Sequence, residues 1–237
     1  ARYHVEGEEI VGTTVKGSPN TFLCTDRQYG DFVLEFEVKV DPRLNSGVQV
    51  RSQIAPTEMA FVFAGRDGKP QSVVIPADRV YGYQVEIATE KAGSSGSIYD
   101  EARRGFMLAS TTSDPVASKA FKDGQWNKYR IECKSDRIRT WVNDVPCVDL
   151  RDSMTARGVI GLQVHGIGNE AGRYEVRWRN LRIQAADGGI APPVISCPVR
   201  VLQCTSKWTG PRMADGRPMV SDDLLKRMRN VPVTMAW

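Results

Sequence analysis

Along residues 31–40, DFVLEFEVKV, every second position is apolar. Phe32, Leu34, Phe36, Val38 and Val40 form one face, and Glu35, Glu37 and Lys39 the other. Successive side chains of a strand point to opposite faces, so this run predicts a half-buried strand. The same period of two recurs in VQVR (48–51), YGYQVEI (81–87), WNKYRIECK (126–134), RIRTWVN (137–143), VPCVDL (145–150), GVIGLQVH (158–165) and YEVRWRNLRIQ (174–184). Shorter runs, YHVEG, EEIVGTTV and TFLCTD, fall within residues 1–28, and Gly105 to Leu108 reads as one more short strand. Residues 54–80, punctuated by Pro56, Gly65, Gly68, Pro70 and Pro76, read largely as an irregular loop. Turns are expected at residues 16–20, 41–47 and 135–136, and at Asn143-Asp144, where both residue types tolerate positive φ. No helical period precedes residue 185. Many short antiparallel strands with near-regular turns predict an all-β body, a jelly-roll β-sandwich over residues 1–185.

The pattern then changes. ADGGIAPP marks a linker over residues 186–193, and residues 194–237 form a short C-terminal extension, read as the start of a second unit. Within it, residues 221–229 predict a helix, with Ser221 as N-cap, acids in the first turn and bases in the last. With 41% hydrophobic and 25% charged residues, the chain has the make-up of a soluble globular protein. The net charge of +4 is scattered rather than striped, which argues against nucleic acid as a partner. No apolar run reaches the roughly 20 residues of a membrane helix, so membrane insertion is not expected. The five cysteines, at positions 24, 133, 147, 197 and 204, have no metal-ligand spacing. Cys133 and Cys147 are expected as small apolar residues, and Cys197 and Cys204 are near enough to pair.

Three strands share one design: a polar face with Gln followed two residues later by an ionisable group. These are Gln49/Arg51, Gln84/Glu86 and Gln163/His165. Residues i and i+2 of a strand share a face. If the strands are neighbours, Arg51, Glu86 and His165 meet on the open side of one sheet, beside amides suited to sugar hydroxyls. The competing reading is an ordinary solvated face. The Gly/Ser loop at 93–97 leads from the Gln84/Glu86 strand to a polar cluster of Tyr99, Asp100, Glu101, Arg103 and Arg104. His165 and His4 are the only histidines, which excludes a zinc site built on several histidines. Gly166, Gly168 and Ala171 mimic a dinucleotide-binding turn, but a strand rather than a helix follows, so that reading fails. Trp126, Trp141 and Trp178 fall in strands and read as core residues; the alternative for Trp141, beside a turn, is to stack on a sugar.

The runs DFVLEFEVKVDPRLNSGVQVR, GYQVEI, GSIYDEARRG, WNKYRIECKSDRIRTWVNDVPCVDL, GVIGLQVHG and VRWRNLRI, in this order, resemble the DUF1080 or 3-keto-disaccharide hydrolase domain family across about residues 2–184. The resemblance implies a concanavalin A-like jelly roll that cleaves glycosides oxidised to a ketone at C3, often in exported bacterial proteins. It departs from the family pattern at Asn143-Asp144 and at Ala88-Thr89 after Glu86. The tail SDDLLKRMRNVPVTMAW faintly resembles the opening of an RraA-like domain. For such a substrate, His165 or Glu86 is expected as the base, with Arg51 and Arg104 holding an enolate oxygen. Gln49, Gln84, Gln163, Asn45, Tyr99, Asp100, Arg103 and Trp141 are expected to bind the sugar. A divalent metal near Glu86 or Asp100 is a further possibility. The alternatives are a non-catalytic, lectin-like carbohydrate-binding module and a structural interaction domain.

Overall fold

The computed structural model of the protein describes residues 1–186, 209–211 and 219. The chain divides into two compact units, residues 1–190 and 191–237. The predicted helix at 221–229, most of the extension around it, and Cys197 and Cys204 lie outside the described residues.

The body is two antiparallel sheets packed face to face. Across the first, the strands run β1 (Arg2–Glu6), β2 (Glu9–Thr13), β15 (Glu175–Ala185), β4 (Phe32–Val40), β11 (Asn127–Lys134), β12 (Arg137–Val142) and β13 (Val145–Arg151). Across the second they run β10 (Met107–Ala109), β9 (Ile98–Glu101), β8 (Val80–Ile87), β5 (Ser46–Ile54), β14 (Val159–Val164) and β3 (Thr21–Cys24). The alternation in β4 sorts as the sequence predicts: Phe32, Leu34, Phe36 and Val38 are buried and Lys39 is exposed. From the first sheet they meet Tyr129, Ile131 and Trp178, and from the second Val48, Val85, Ile87 and Leu162. Phe36 stacks on Tyr129 with ring centroids 5.2 Å apart. Each such side chain contributes roughly 1.5–3 kcal/mol through burial. The turn from β12 to β13 holds Asn143 at φ 49° and Asp144 at φ 64°, the positive values that a two-residue hairpin requires. Cys133 is buried in the core and Cys147 half-buried, both as free thiols, as is Cys24. No helix among the described residues is long and apolar enough to cross a membrane.

One segment differs from expectation. Residues 54–80 contain a hairpin of β6 (Met59–Ala64) and β7 (Pro70–Ile75), paired from Met59↔Ile75 to Ala64↔Pro70. The glycines that suggested a loop form its turn, where the Gly65 N–H donates to the Lys69 carbonyl at 2.8 Å and Gly68 takes φ +76°. Pro70 is tolerated because it stands at the strand's first position.

Candidate functional site

The second sheet turns Val48, Val85 and Leu162 inward, which sends Gln49, Gln84, Glu86 and Gln163 to its other face. Gln49 and Gln84 are register partners on β5 and β8, and their amides touch. Gln49 Nε2 donates to Gln84 Oε1 at 2.7 Å, and Gln163 Nε2 donates to the same oxygen at 2.9 Å. Gln84 Nε2 then donates to Glu86 Oε1 at 3.2 Å, and Asn45 Nδ2 to Glu86 Oε2 at 3.3 Å. Behind Gln49, Ser52 Oγ lies 2.7 Å from its Oε1. The three glutamines are at most 2% exposed and Glu86 is 7% exposed. Burial pushes the Glu86 carboxyl above the usual glutamate range, against the pull of the Asn45 and Gln84 amides, and the nearby Glu101 adds to the rise. An amide floor therefore carries one carboxyl, with both oxygens engaged by N–H donors.

A second layer covers this floor. Tyr99 is the register partner of Gln84 and Glu101 that of Gly82, so both stand on the open face. Phe22, the partner of Gln163 on β3, stands there too. Arg79 forms an ion pair with Glu101, and its guanidinium carbon lies 6.0 Å from the Phe22 ring centroid. Asn20, just before β3, donates to Glu101 Oε1 at 3.4 Å. β3 is four strands away from β9, so this contact joins opposite sides of a strongly curved sheet over the glutamines. Asn20 Oδ1 also accepts the Gly166 N–H at 2.9 Å. Next to it, half-buried His165 has Nδ1 2.7 Å from the Gly166 carbonyl. A carbonyl only accepts, so Nδ1 carries the hydrogen, which makes Nε2 the acceptor nitrogen of the neutral ring. Burial, with help from Glu101, Glu86 and Asp100, raises the Tyr99 hydroxyl above its ordinary range.

The structure brings together Gln49, Gln84, Glu86, Gln163, Asn45, Tyr99 and His165 from the expected set, and sends five others elsewhere. Arg51 does not reach the open face. The pairing of β5 with β8 shifts between Gln49 and Gln53, and Arg51 takes φ +49° at that bulge. Its guanidinium is fully buried, donating to the Gly30 carbonyl at 2.7 Å, the Ser135 carbonyl at 2.6 Å and Asp31 Oδ1 at 2.8 Å. Asp100 pairs in register with core-facing Tyr83 and so lies on the opposite face from Glu101. There it joins Arg103, Arg104 and Asp152 in a buried ionic cluster, with Tyr83 donating to Asp152. Burial alone would raise Asp152, but Arg104, Tyr83 and the Met154 N–H hold its carboxyl below the usual range. Trp141 is on the first sheet, between the guanidiniums of Arg130 and Arg139 at 5.7 and 5.3 Å. Shallow cavities of about 250 and 370 Å³ lie around Arg137, Arg151 and Asp136, away from the amide floor, and their arginines are already paired with acids.

Arg79, Asn20 and Phe22 escaped the sequence reading, and Glu101, named there in the polar cluster, was given no role. The i+2 rule applied to Tyr99 points to Glu101 rather than Asp100, so that signal was present. Arg79 and Asn20 stand just outside strands and had none. The donor set does not fit a divalent ion: Glu86 is engaged by amides, Glu101 by Arg79 and Asp100 by two arginines. Among the described residues no three His, Cys, Asp or Glu side chains converge.

The chain is similar in fold to the carbohydrate-binding module CBM66 from Bacillus subtilis, at 15% identity and a TM-score of 0.51, over 78% of this chain and 91% of that one. A galectin-like-fold protein from Bacillus subtilis aligns at 12% identity and a TM-score of 0.49, over 77% and 86%. No curated relative matches the sequence. The model of a family described as the 3-keto-alpha-glucoside-1,2-lyase-like domain matches residues 1–184, nearly the whole sandwich. To that family the chain belongs.

Proposed function

We propose that this chain cleaves glycosides already oxidised to a ketone at C3, by elimination followed by hydration. The observation that carries the reading is a buried carboxyl, Glu86, seated in amide donors on the open face of a family member's sandwich. A C3 ketone acidifies the C2 proton. Glu86 takes that proton, and the C2–H electron pair forms an enolate across C2 and C3, whose oxygen is met by the Arg79 cation. The enolate then expels the C1 substituent: the C1–O bond breaks with its electron pair, C1=C2 forms, and the proton passes from Glu86 to the departing oxygen. Water then adds across C1=C2: His165 Nε2 takes one proton of that water as its hydroxyl bonds to C1, and the same proton is returned to C2 as the C1=C2 electron pair closes on it. The sum is hydrolysis. Arg51, Arg104 and a metal are assigned no step.

The test is release from a chromogenic 3-keto-glucoside beside its unoxidised counterpart. Release from the keto form alone supports the reading, and Glu86→Gln should abolish exchange of the C2 hydrogen. His165→Ala should instead let the C1=C2 product accumulate. Wild-type kcat/KM in both variants would overturn the assignment. Sugar binding without release from either compound would favour a binding module, as CBM66 from Bacillus subtilis is.

A further inference from the structure

We propose that Gln84, held over Gly47 by Gln49 and Gln163, is a positioning residue that aims the Glu86 carboxyl at the bound sugar. The inference rests on the reading of Glu86 given above. Both lone-pair directions of Gln84 Oε1 are occupied, one by Gln49 Nε2 at 2.7 Å and the other by Gln163 Nε2 at 2.9 Å. The amide cannot turn over without setting an N–H against two N–H donors, so its own Nε2 must face Glu86. An amide whose oxygen accepts twice is polarised and donates more strongly from its nitrogen. Asn45 holds the second carboxyl oxygen, which leaves the plane of Glu86 little freedom.

Gly47 makes the arrangement possible. It is the register partner of Glu86, and Gln84 lies flat across it. A Cβ at position 47 would stand 2.6 Å from Gln84 Cδ and Cγ and 2.8 Å from Nε2, so any side chain there must displace the amide. Gln84 is 2% exposed and bonded on three sides, so the displacement breaks contacts rather than swinging a free end. Gln163 Oε1, buried without a partner, is the acceptor of this network left over for a donor from outside.

The experiment follows the Glu86 carboxyl itself. Carboxyl-labelled glutamate is introduced and the Glu86 resonance, identified by its loss in Glu86→Gln, is titrated by ¹³C NMR in wild type, Gly47→Ala and Gln84→Leu. The titratable groups that act on Glu86 are Glu101 and Tyr99 from β9 and Tyr129 from the core, with Arg79 paired to Glu101. The substitutions leave all four in place. Both variants should move the Glu86 midpoint upward, because a donor to the carboxylate is lost. On the keto-sugar they should lower kcat by roughly 10- to 100-fold, the worth of one hydrogen bond to a charged group. KM should change by no more than about twofold, since the Gln84 amide is spent on Gln49, Gln163 and Glu86. An unchanged Glu86 midpoint in both would overturn the proposal. If Gly47→Ala does not fold, Gln163→Met, which leaves Gln84 in place but frees one side of its oxygen, carries the same comparison. If the wild type releases nothing from a keto-sugar, the reaction assigned above falls, while the titration still decides what Gln84 does to Glu86.

Discussion

Arg51→Met separates a structural arginine from a catalytic one. The Arg51 side chain is fully buried and reaches from the second sheet to the β11–β12 turn, with three donors on the Gly30 carbonyl, the Ser135 carbonyl and Asp31. Methionine nearly keeps the volume but leaves two carbonyls and a carboxylate without their cation. Breaking a buried pair costs about 3–5 kcal/mol. Asp31 is 39% exposed and still accepts the Ser135 N–H at 2.9 Å, so water and that bond recover part of the loss. The lower end, about 3 kcal/mol, is therefore expected, a fall in Tm of roughly 6–12 °C for a body of this size. The assay is thermal unfolding by near-ultraviolet circular dichroism, with kcat/KM on the keto-sugar measured well below the transition. The folded variant should keep kcat/KM within about threefold of wild type, since the guanidinium touches nothing on the open face. A variant with unchanged Tm and collapsed turnover would refute the reasoning.

Other outcomes follow from the same geometry. If Glu86 is the base, it must be ionised; its carboxyl is held above the usual range, so kcat/KM should fall with decreasing pH through a midpoint above the ordinary glutamate value of about 4.3. An acid limb at or below that value would count against Glu86. Asp152 has its folded pKa depressed, so its contribution to stability is present above the ordinary aspartate value of about 3.9 and is lost as pH falls through the folded value. Asp152→Asn should therefore lower the urea midpoint at neutral pH and flatten its decline in acid; an unchanged slope would show that the Arg104–Asp152 pair does not carry the dependence. Trp141→Ala, on the outer side of the other sheet, should leave sugar affinity and turnover unchanged, and a loss of binding by calorimetry would move the site.

The two-residue period made the sandwich legible, because a strand with one buried face must alternate, and β4 and β11 do so without interruption. The glutamine pattern was legible for the same reason: Gln49, Gln84 and Gln163 stand opposite core residues. Parity failed where the backbone leaves the ideal pleat. Arg51 shares a parity with Gln49, but the bulge at φ +49° turns it away. Asp100 and Glu101 are adjacent, so one faces each way, and only the pairing of Tyr99 with Gln84 says which. The β6–β7 hairpin was hidden because Gly65, Gly68 and Pro70 read as loop residues, although the glycines form a turn and Pro70 opens β7. Asn20 and Arg79 come together through the curvature of a whole sheet, a property that no local pattern encodes.

The contact from Asn20 to Glu101 also bears on the order in which the molecule is built. Its partners are 81 residues apart in the chain: Glu101 is in the second strand of a six-stranded sheet, and Asn20 directly precedes the sixth. The strand that Asn20 precedes is held by β14, residues 159–164, so it has no sheet to join until most of the body has been synthesised. Such non-local pairings form slowly, because loop-closure entropy is lost before the contacts repay it. The amide floor draws on β5, β8 and β14 alone, whereas its cover needs the N-terminal segment in place as well. The covering of the site is then among the last events of folding, and the edge strand β3 controls whether a finished sandwich has a finished site.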